Sequence, residues 1–516
     1  MTITQWFIFF LIIQVIHFLG TWKLYVKAGR KAWEAIIPVY NAIVLMKIIN
    51  RPWWWVILLF IPIINLIMFP VIWVETIRSF GRNNNADTWL AVLTLGFYLF
   101  YVNYALDVNY IEDRSLKPRT STGEWVSSIL FAVVAATFVH TYFMQPYVIP
   151  TSSLEKTLLV GDFLFVSKFH YGARTPMTTV AFPMVHDTIP IVNKRSYLNK
   201  PQLPYFRLPG FQKIKRNDIV VFSWPADTVE RFFKKTNKKI RKPIDKKSNY
   251  VKRCVGIPGD SLSIIDGYVH INGKQTVLPD RAKPQFSYYV QTTGQLSPRY
   301  MYERYGVTGG FGKVQEGMYY FSAMTAKAAK QLEDNPNVVN VQRNIEPEGA
   351  SKIAPVFPQF GNFQWNQDQY GPIYVPEAGK KVALDLDILP LYKRIIEEYE
   401  GNTLKVQGNQ ILINGQATDS YTFKQDYYWM MGDNRHASED SRYWGYVPAD
   451  HVVGKPVFIW FSWDSNASGP FWNKVRWKRV FTTVGGSGEP HSYLMYFLIA
   501  IGAWIAYSRF RKRKKS

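Results

Sequence analysis

Five stretches of this chain approach or reach the roughly 20 mostly apolar residues that a helix needs to cross a bilayer. They are Ile3–Leu19, Trp53–Trp73, Trp89–Leu106, Trp125–Met144 and Tyr493–Ser508. No other feature restricts the fold so strongly. A segment in lipid must satisfy its own backbone N–H and C=O groups, which leaves helices as the option for isolated runs. Ala35–Met46 is apolar but short and interrupted by Pro38, so it suits an interfacial or re-entrant piece. The first stretch lacks a basic flank and is followed by further apolar runs, so it is expected to be retained rather than cleaved. Trp53–Trp55, Trp89 and Trp125 stand at span ends, where amphipathic rings prefer the headgroup level.

Basic residues in short loops orient such spans, because they stay on the cytoplasmic side. Lys23–Lys31, Arg114–Arg119 and the tail Arg509–Lys515 agree with one another if the N-terminus lies outside and the C-terminus inside. Gln145 to about Pro490 then lies outside. The loop Glu75–Thr88 also falls outside, although it carries Arg78 and Arg82, and this is the one conflict in the scheme. A net charge of +23 favours an anionic surface, and long apolar runs make that surface a bilayer rather than nucleic acid. The single cysteine, Cys254, excludes an intramolecular disulfide and any cysteine-rich metal site. No cofactor is expected.

The external region reads as strands. "DFLFVSKF", "NDIVVFSW", "NYVKRCVGI", "SLSIIDGYVHING" and "LKVQGNQILINGQ" are β-branched or aromatic runs bounded by turn residues. "GYVHINGKQ" (267–275) and "GNQILINGQ" (408–416) share a strand, an Asn-Gly and a second strand, which predicts two tight hairpins. "AMTAKAAKQLED" (323–334) predicts a helix, 229–250 an exposed basic loop, and 482–490 a flexible linker.

Three hydroxyls, Thr151, Ser152 and Ser153, follow the fourth apolar run directly. Serine is a poor nucleophile until a base takes its proton. None of the eight histidines stands in a serine-hydrolase frame, and His170, His436 and His451 are isolated. A lysine can act as the base if a dry pocket lowers its pKa. Lys156, Lys168 and Lys252 are the candidates. Ser153-Leu-Glu-Lys156 fits S-x-x-K, the pattern of penicillin-interacting acyltransferases, but the companion S-D-N and K-T-G motifs are absent. Lys156 is expected to be solvated at the membrane surface. In "NYVKRCVGIPGD", strand alternation groups Tyr250, Lys252 and Cys254 on one face, where a ring and a thiol would strip water from the amine. A solvated strand lysine fits the same pattern. "WMMGDNRHASEDSRYWGYVP" (429–448) concentrates Asp433, Arg435, Asp440 and Arg442 in one stretch, an ion-pair and turn cluster in which Ser438 could orient a lysine.

Taken in order, "IPTSSLEKTLLVGDFLFVSKFHYG", "KRNDIVVFSWP", "YVKRCVGIPGDSL" and "MGDNRHASEDSRYWGYVP" resemble one family, the bacterial type I signal peptidases (leader peptidases). The resemblance covers roughly Trp125–Asn272 and Thr403–Ser462. It implies Ser153 as nucleophile, Lys252 as general base, Thr151 with the Ser153 amide as oxyanion donors, and Ser438 as support for the lysine. Asp433, Arg435, Asp440 and Arg442 would scaffold the site. It further implies a mainly antiparallel β catalytic domain with an inserted β-rich subdomain, anchored by several transmembrane helices. The implied substrates are secretory preproteins cut after Ala-x-Ala patterns. The implied location is the bacterial inner membrane, with the catalytic domain on its outer face. Where the family commonly reads S-M-x-P-T, this chain reads Ser153-Leu154-Glu155-Lys156-Thr157. The endoplasmic-reticulum branch uses histidine where Lys252 stands, so the prokaryotic branch is the match.

The expected division is a membrane region over 1–120, a transmembrane helix over 121–144 and catalytic parts over 145–276 and 401–480. An insert with one helix fills 277–400, and a linker (481–490), a last span (491–508) and a basic tail (509–516) close the chain. Two rivals remain at this level: an acyltransferase using Ser153 and Lys156, and a membrane adaptor that binds partners through the insert.

Overall fold

The computed structural model describes residues 1–118, 120–227, 240–350, 356–360 and 362–513. Arg119, residues 229–239 of the basic segment 229–250, and the tail end 514–516 lie outside the described residues. The chain forms two compact units: one of 1–143, 174–208 and 239–247, the other of 144–173, 209–238 and 248–516.

The first unit is helical. α1 (Ile3–Lys27) opens with a capping box in which Thr2 and Gln5 satisfy each other's backbone N–H groups. The expected second and third spans are not continuous helices. Trp53–Trp73 divides into α2 (Trp55–Leu59) and α3 (Asn65–Ser79), broken at Pro62 and at Ile63, whose φ is +72°. Trp89–Leu106 divides into α4 (Asn85–Leu93) and α5 (Tyr98–Tyr104), broken at Leu95 and Gly96, both at positive φ. A Cβ on Gly96 would lie 2.6 Å from the Trp73 ring, so only glycine allows this turn to pack there.

The ends of the α2–α3 pair meet: the Arg51 guanidinium donates to buried Glu75 at 2.8 and 3.1 Å, and Arg114 donates to the same oxygen at 2.7 Å. This segment is therefore a helical hairpin that returns to the side where it began. The short helix Tyr40–Ile48 packs into the same core, with Val44, Ile48, Ile72, Ile77 and Val102 buried together. α6 (Ser121–Phe138), capped by Thr120, runs on through a wider turn to Phe143. Among the described residues, two helices are long and apolar enough to cross a membrane, Ile3–Lys27 and Ser121–Phe143.

The second unit is β-rich. Its strands, in chain order, begin with β1 (Met144–Val148), β2 (Asp162–Ser167), β3 (Ile219–Ser223) and β4 (Asn249–Gly256). There follow β5 (Gln285–Thr292), β6 (Phe311–Gln315), β7 (Met318–Thr325) and β8 (Val338–Arg343). β9 (Tyr427–Met431), β10 (Val447–Pro448) and β11 (Val452–Ser462) return the chain to the main sheet. The main sheet is antiparallel in the order β1-β2-β11-β3-β4-β9-β10. Register breaks along β11, at Val452/Gly454 and opposite Phe163/Leu164 and Phe165/Val166, curl it.

Both Asn-Gly hairpins are present: Asn272-Gly273 and Asn414-Gly415 each hold two consecutive positive φ angles between paired strands. Among the described residues the insert carries two α-helices besides the expected one, Pro298–Tyr305 and Leu389–Arg394. β5–β8 form an antiparallel sheet in the order β8-β5-β7-β6, with α7 (Pro298–Tyr305) and α8 (Ala326–Glu333) packed on one face. The segment 277–400 is also not one body. Tyr370–Tyr374 pairs with Ser261–Ile265 and so belongs to a second sheet begun before the insert. The linker region is tied down by Arg281, whose guanidinium donates to the carbonyls of Thr483 and Gly485.

Candidate active site

Leu154 fixes the nucleophile candidate. It is fully buried among Ile149, Leu158, Leu164, Ile219 and Ile459, and so pins the single 3₁₀ turn Ser152–Leu154 onto the sheet. Ser153 is 8 % exposed. Its carbonyl accepts from the Asn434 N–H at 3.0 Å, and the Ser152 carbonyl accepts from the Asn434 amide at 3.2 Å. The turn is thus stitched to the 432–438 loop. Thr151 precedes it in extended conformation, exposed at the rim.

Lys252 comes from the centre of the sheet. On β4 it pairs with Val220 of β3, and the Ser152–Leu154 turn packs against the same strand. It is 3 % exposed, and its Nζ lies 5.5 Å from the Tyr250 ring. Burial lowers its pKa from 10.5 to about 8, against the opposing pull of Asp440 and Glu439. The amine is therefore neutral in roughly a tenth of molecules at pH 7 and in most of them above pH 8, far more than an ordinary lysine. Cys254, two residues on, is buried beside Tyr171, Val220, Phe222 and Met430, and burial pushes its thiol up, which disfavours the reactive thiolate.

The 429–448 stretch forms the wall. Asp433 takes two bonds from Arg253, at 2.7 and 2.6 Å, and one from the Thr157 hydroxyl at 2.6 Å. Burial pushes its carboxyl up, but Arg253 and Thr157 outweigh that and hold it below the ordinary range. Asp440 caps the short helix Ser441–Trp444 and takes two bonds from Arg442 at 2.9 Å, plus the Gly432 N–H at 3.0 Å. Both pairs are completely dry or nearly so. Arg435 is different: it is buried, its Nε and Nη1 have no hydrogen-bond partner among the described residues, and burial lowers its pKa to about 10.

Gly432 explains how the parts meet. A Cβ there would collide with the Ser438 hydroxyl and with the Ser153 carbonyl oxygen. The buried Ser438 hydroxyl has no hydrogen-bond partner among the described residues, so it is left with a bond to give.

Three features were not legible beforehand. Arg253, next to Lys252 but on the other face of β4, is the partner of Asp433, and alternation alone carried that hint. His436 is not isolated. Its Nδ1 accepts from the Ser287 N–H at 2.9 Å, so its Nε2–H donates to Asp368 at 2.9 Å, joining β5 to the loop. Lys156 is only partly solvated. It sits at φ +71°, half-buried with its pKa lowered by burial, and its Nζ lies against Gly306 at the end of α7. A proline, fixed near φ −65°, could not adopt that conformation. Among the described residues no group of acidic, histidine and cysteine side chains could hold a metal ion.

Comparison with known proteins adds the family. Residues 122–327 and 416–463 match the family described as "Signal peptidase, peptidase S26". A signal peptidase I of Rickettsia canadensis is 24% identical over 396 residues, covering 73% of this chain and 99% of that protein. Two from Buchnera aphidicola are similar. That of subspecies Baizongia pistaciae is 26% identical, over 64% of this chain and 74% of its own. That of subspecies Acyrthosiphon pisum is 25% identical, over 72% and 89%. Residues 33–113, in the helical unit, match a family described as one of unknown function, DUF5684. Through the segments that carry the buried Lys252 and the Ser153 turn, the chain belongs to the signal peptidase family and is a serine endopeptidase.

Proposed function

We propose that the chain is a membrane-bound endopeptidase that removes signal peptides from secretory preproteins through a Ser153/Lys252 dyad. The observation that carries this reading is Lys252, a lysine inside the sheet with a pKa near 8, on the strand that supports the Ser153 turn. Neutral Lys252 takes the Ser153 proton as Oγ attacks the scissile carbonyl carbon. The tetrahedral oxyanion is held by the Ser153 N–H and the Thr151 hydroxyl, and one such donor is typically worth about 3 kcal/mol. Collapse releases the amine of the mature protein, which takes the proton from Lys252, and water then frees the acyl-enzyme. Ser438 orients the lysine, and Asp433, Arg435, Asp440 and Arg442 fix the wall. Ala-x-Ala-type sites presented at the bilayer are the substrates.

Ser153→Ala and Lys156→Ala separate this from the S-x-x-K alternative. In detergent-solubilised protein given a preprotein, Ser153→Ala should be inactive. Lys156→Ala should lose less than about tenfold, well short of what a general base supplies. An inactive Lys156→Ala that still folds would move the base to Lys156.

The orientation proposed is the N-terminus and the catalytic unit on the outer face of the bacterial inner membrane, with α1 and Ser121–Phe143 as spans; the terminal helix Leu494–Arg513, less apolar than those two, is proposed to return the basic tail to the cytoplasm. Because the α2–α3 pair folds back on itself, the loop 75–88 lies on the cytoplasmic side with Arg51 and Arg114, to which Glu75 is joined. This removes the conflict over Arg78 and Arg82. In a background without Cys254, a cysteine at Asn84 should resist a membrane-impermeant thiol reagent in intact cells. Prompt labelling would reverse the assignment.

A further inference from the structure

Residues 174–207, part of the helical unit, form a long irregular antiparallel hairpin. Its two arms are bridged at Arg174/Arg207, Thr178/Gln202, Ala181/Tyr197 and Thr188/Arg195. Its tip is closed by the Ile189 N–H to the Lys194 carbonyl at 2.8 Å. A hairpin in water should turn polar side chains outward at its tip. This one does the reverse: Ile191 is 99 % exposed, and Val192, Phe182 and Leu198 are each more than half exposed. Ile191 also holds φ +74°, a conformation that a β-branched side chain rarely adopts. The apolar tip is followed directly by exposed Lys194 and Arg195, with exposed Lys200 further along the returning arm. The acid of the hairpin, Asp187, is already held by Lys242 at 2.8 Å.

The arms are fixed to apolar helices. The Trp6 indole N–H, in the second turn of α1, donates to the Gln202 carbonyl at 3.0 Å. Ala181 and Tyr197 are buried together with Ile63, at the apex of the α2–α3 hairpin. The Phe60 ring, beside that apex, lies 6.1 Å from Phe10, one turn further along α1 than Trp6. The returning arm is thereby held alongside the outer end of α1.

We propose that this hairpin is a second membrane anchor: Ile191 and Val192 sit at the boundary between acyl chains and headgroups, and Lys194 and Arg195 contact the phosphates of anionic lipid. The inference rests on α1 being in the bilayer. Apolar side chains flanked by cations partition to that depth because each half is matched, the aliphatic carbons leaving water and the charges staying at the headgroups. Anionic lipid is favoured over zwitterionic because the exposed charge of the hairpin is of one sign.

The test uses the full chain in a Cys254→Ser background, in nanodiscs of phosphatidylcholine with brominated acyl chains, with and without phosphatidylglycerol. An environment-sensitive fluorophore is placed on Val192→Cys, on Leu11→Cys in α1, and on the exposed Val277→Cys. The expected result is a blue-shifted, quenched probe at 192 and at 11, and a water-like, unquenched one at 277. Quenching at 192 should strengthen with phosphatidylglycerol and fall severalfold in Lys194→Glu/Arg195→Glu. Quenching at 11 but not at 192 would overturn the anchor and leave the membrane reading standing; no quenching at either would remove both. A probe at 192 that is shielded without being quenched would mean that protein covers the tip, which also overturns the proposal. Quenching at 192 that ignores both phosphatidylglycerol and the charge reversals would overturn the role given to the two cations.

Discussion

Replacement of Lys252 by alanine or by arginine should abolish preprotein cleavage, with kcat/KM falling by at least the roughly 10²–10⁴-fold that a positioned base supplies. Arginine fails although it fits the charge, because a guanidinium stays protonated at any working pH. In the wild-type enzyme the rate should rise with pH through an apparent pKa near 8 and then level, since only the neutral amine can accept the serine proton. A profile that is flat from pH 6 to 9 would rule out Lys252 as the titrating base. The same shift makes a stability prediction. With a folded pKa near 8 and an ordinary value of 10.5, the unfolded chain binds more protons across that window. Stability therefore rises with pH between those values, and below about 8 the buried lysine costs on the order of 3 kcal/mol. Lys252→Met removes this cost at nearly constant volume. It should be inactive yet melt higher than the wild type at pH 7, with the difference closing towards pH 10. A lower melting point at pH 7 would show that the lysine is not strained by its burial.

Arg442→Met should be the most damaging single change outside the reacting groups, at about 3–5 kcal/mol, because it strands Asp440 in the dry wall without its partner. Asp440 and Arg442 are both fully buried, and burial alone would push the carboxyl up; Arg442 and the Gly432 N–H reverse that. Asp440→Asn combined with Arg442→Met should recover part of the loss, since the uncompensated charge is gone. A thermal-melt double-mutant cycle measures this, and additive losses would mean that the two residues are not coupled. The depressed Asp440 pKa fixes the direction of the acid response. The stabilisation is present at neutral pH and is lost as pH falls below about 3.8, through the folded value.

The parts of the site that were readable in the sequence are those in which chemistry is local. Lys252 and Arg253 have opposite fates because adjacent strand residues face opposite ways, and that follows from alternation. The two Asn-Gly turns were readable for the same reason, since only their own backbone has to be satisfied. Contacts across the chain were not. His436 needs Ser287 and Asp368, and Asp433 needs Arg253, partners that no spacing reveals. The apolar runs misled in a specific way. Composition reports that Trp53–Trp73 prefers lipid, but not that a break at Pro62-Ile63 and an ion pair between Arg51 and Glu75 fold it back. α7 escaped because "PRYMYERY" is rich in tyrosine, and its contact with the insert core rests on buried Met301 with half-buried Tyr305 beside it. Lys156 was misjudged because its burial depends on α7, which lies far along the chain.

The place of β11 in the main sheet has a consequence for the life of each molecule. β2 and β3 do not touch; β11 (Val452–Ser462) lies between them, and β3 carries β4 with Lys252 while β2 follows the Ser153 turn. On the proposed dyad, the sheet that joins Ser153 to Lys252 is therefore complete only once a strand made near the end of synthesis has been slotted in. At ~5–20 residues per second, about 10–40 s separate the making of Lys252 from that of Val452. Throughout that interval the nascent chain holds both halves of its chemistry and can use neither. On the dyad and orientation proposed above, strand order would keep a newly made copy inert until this late strand is in place.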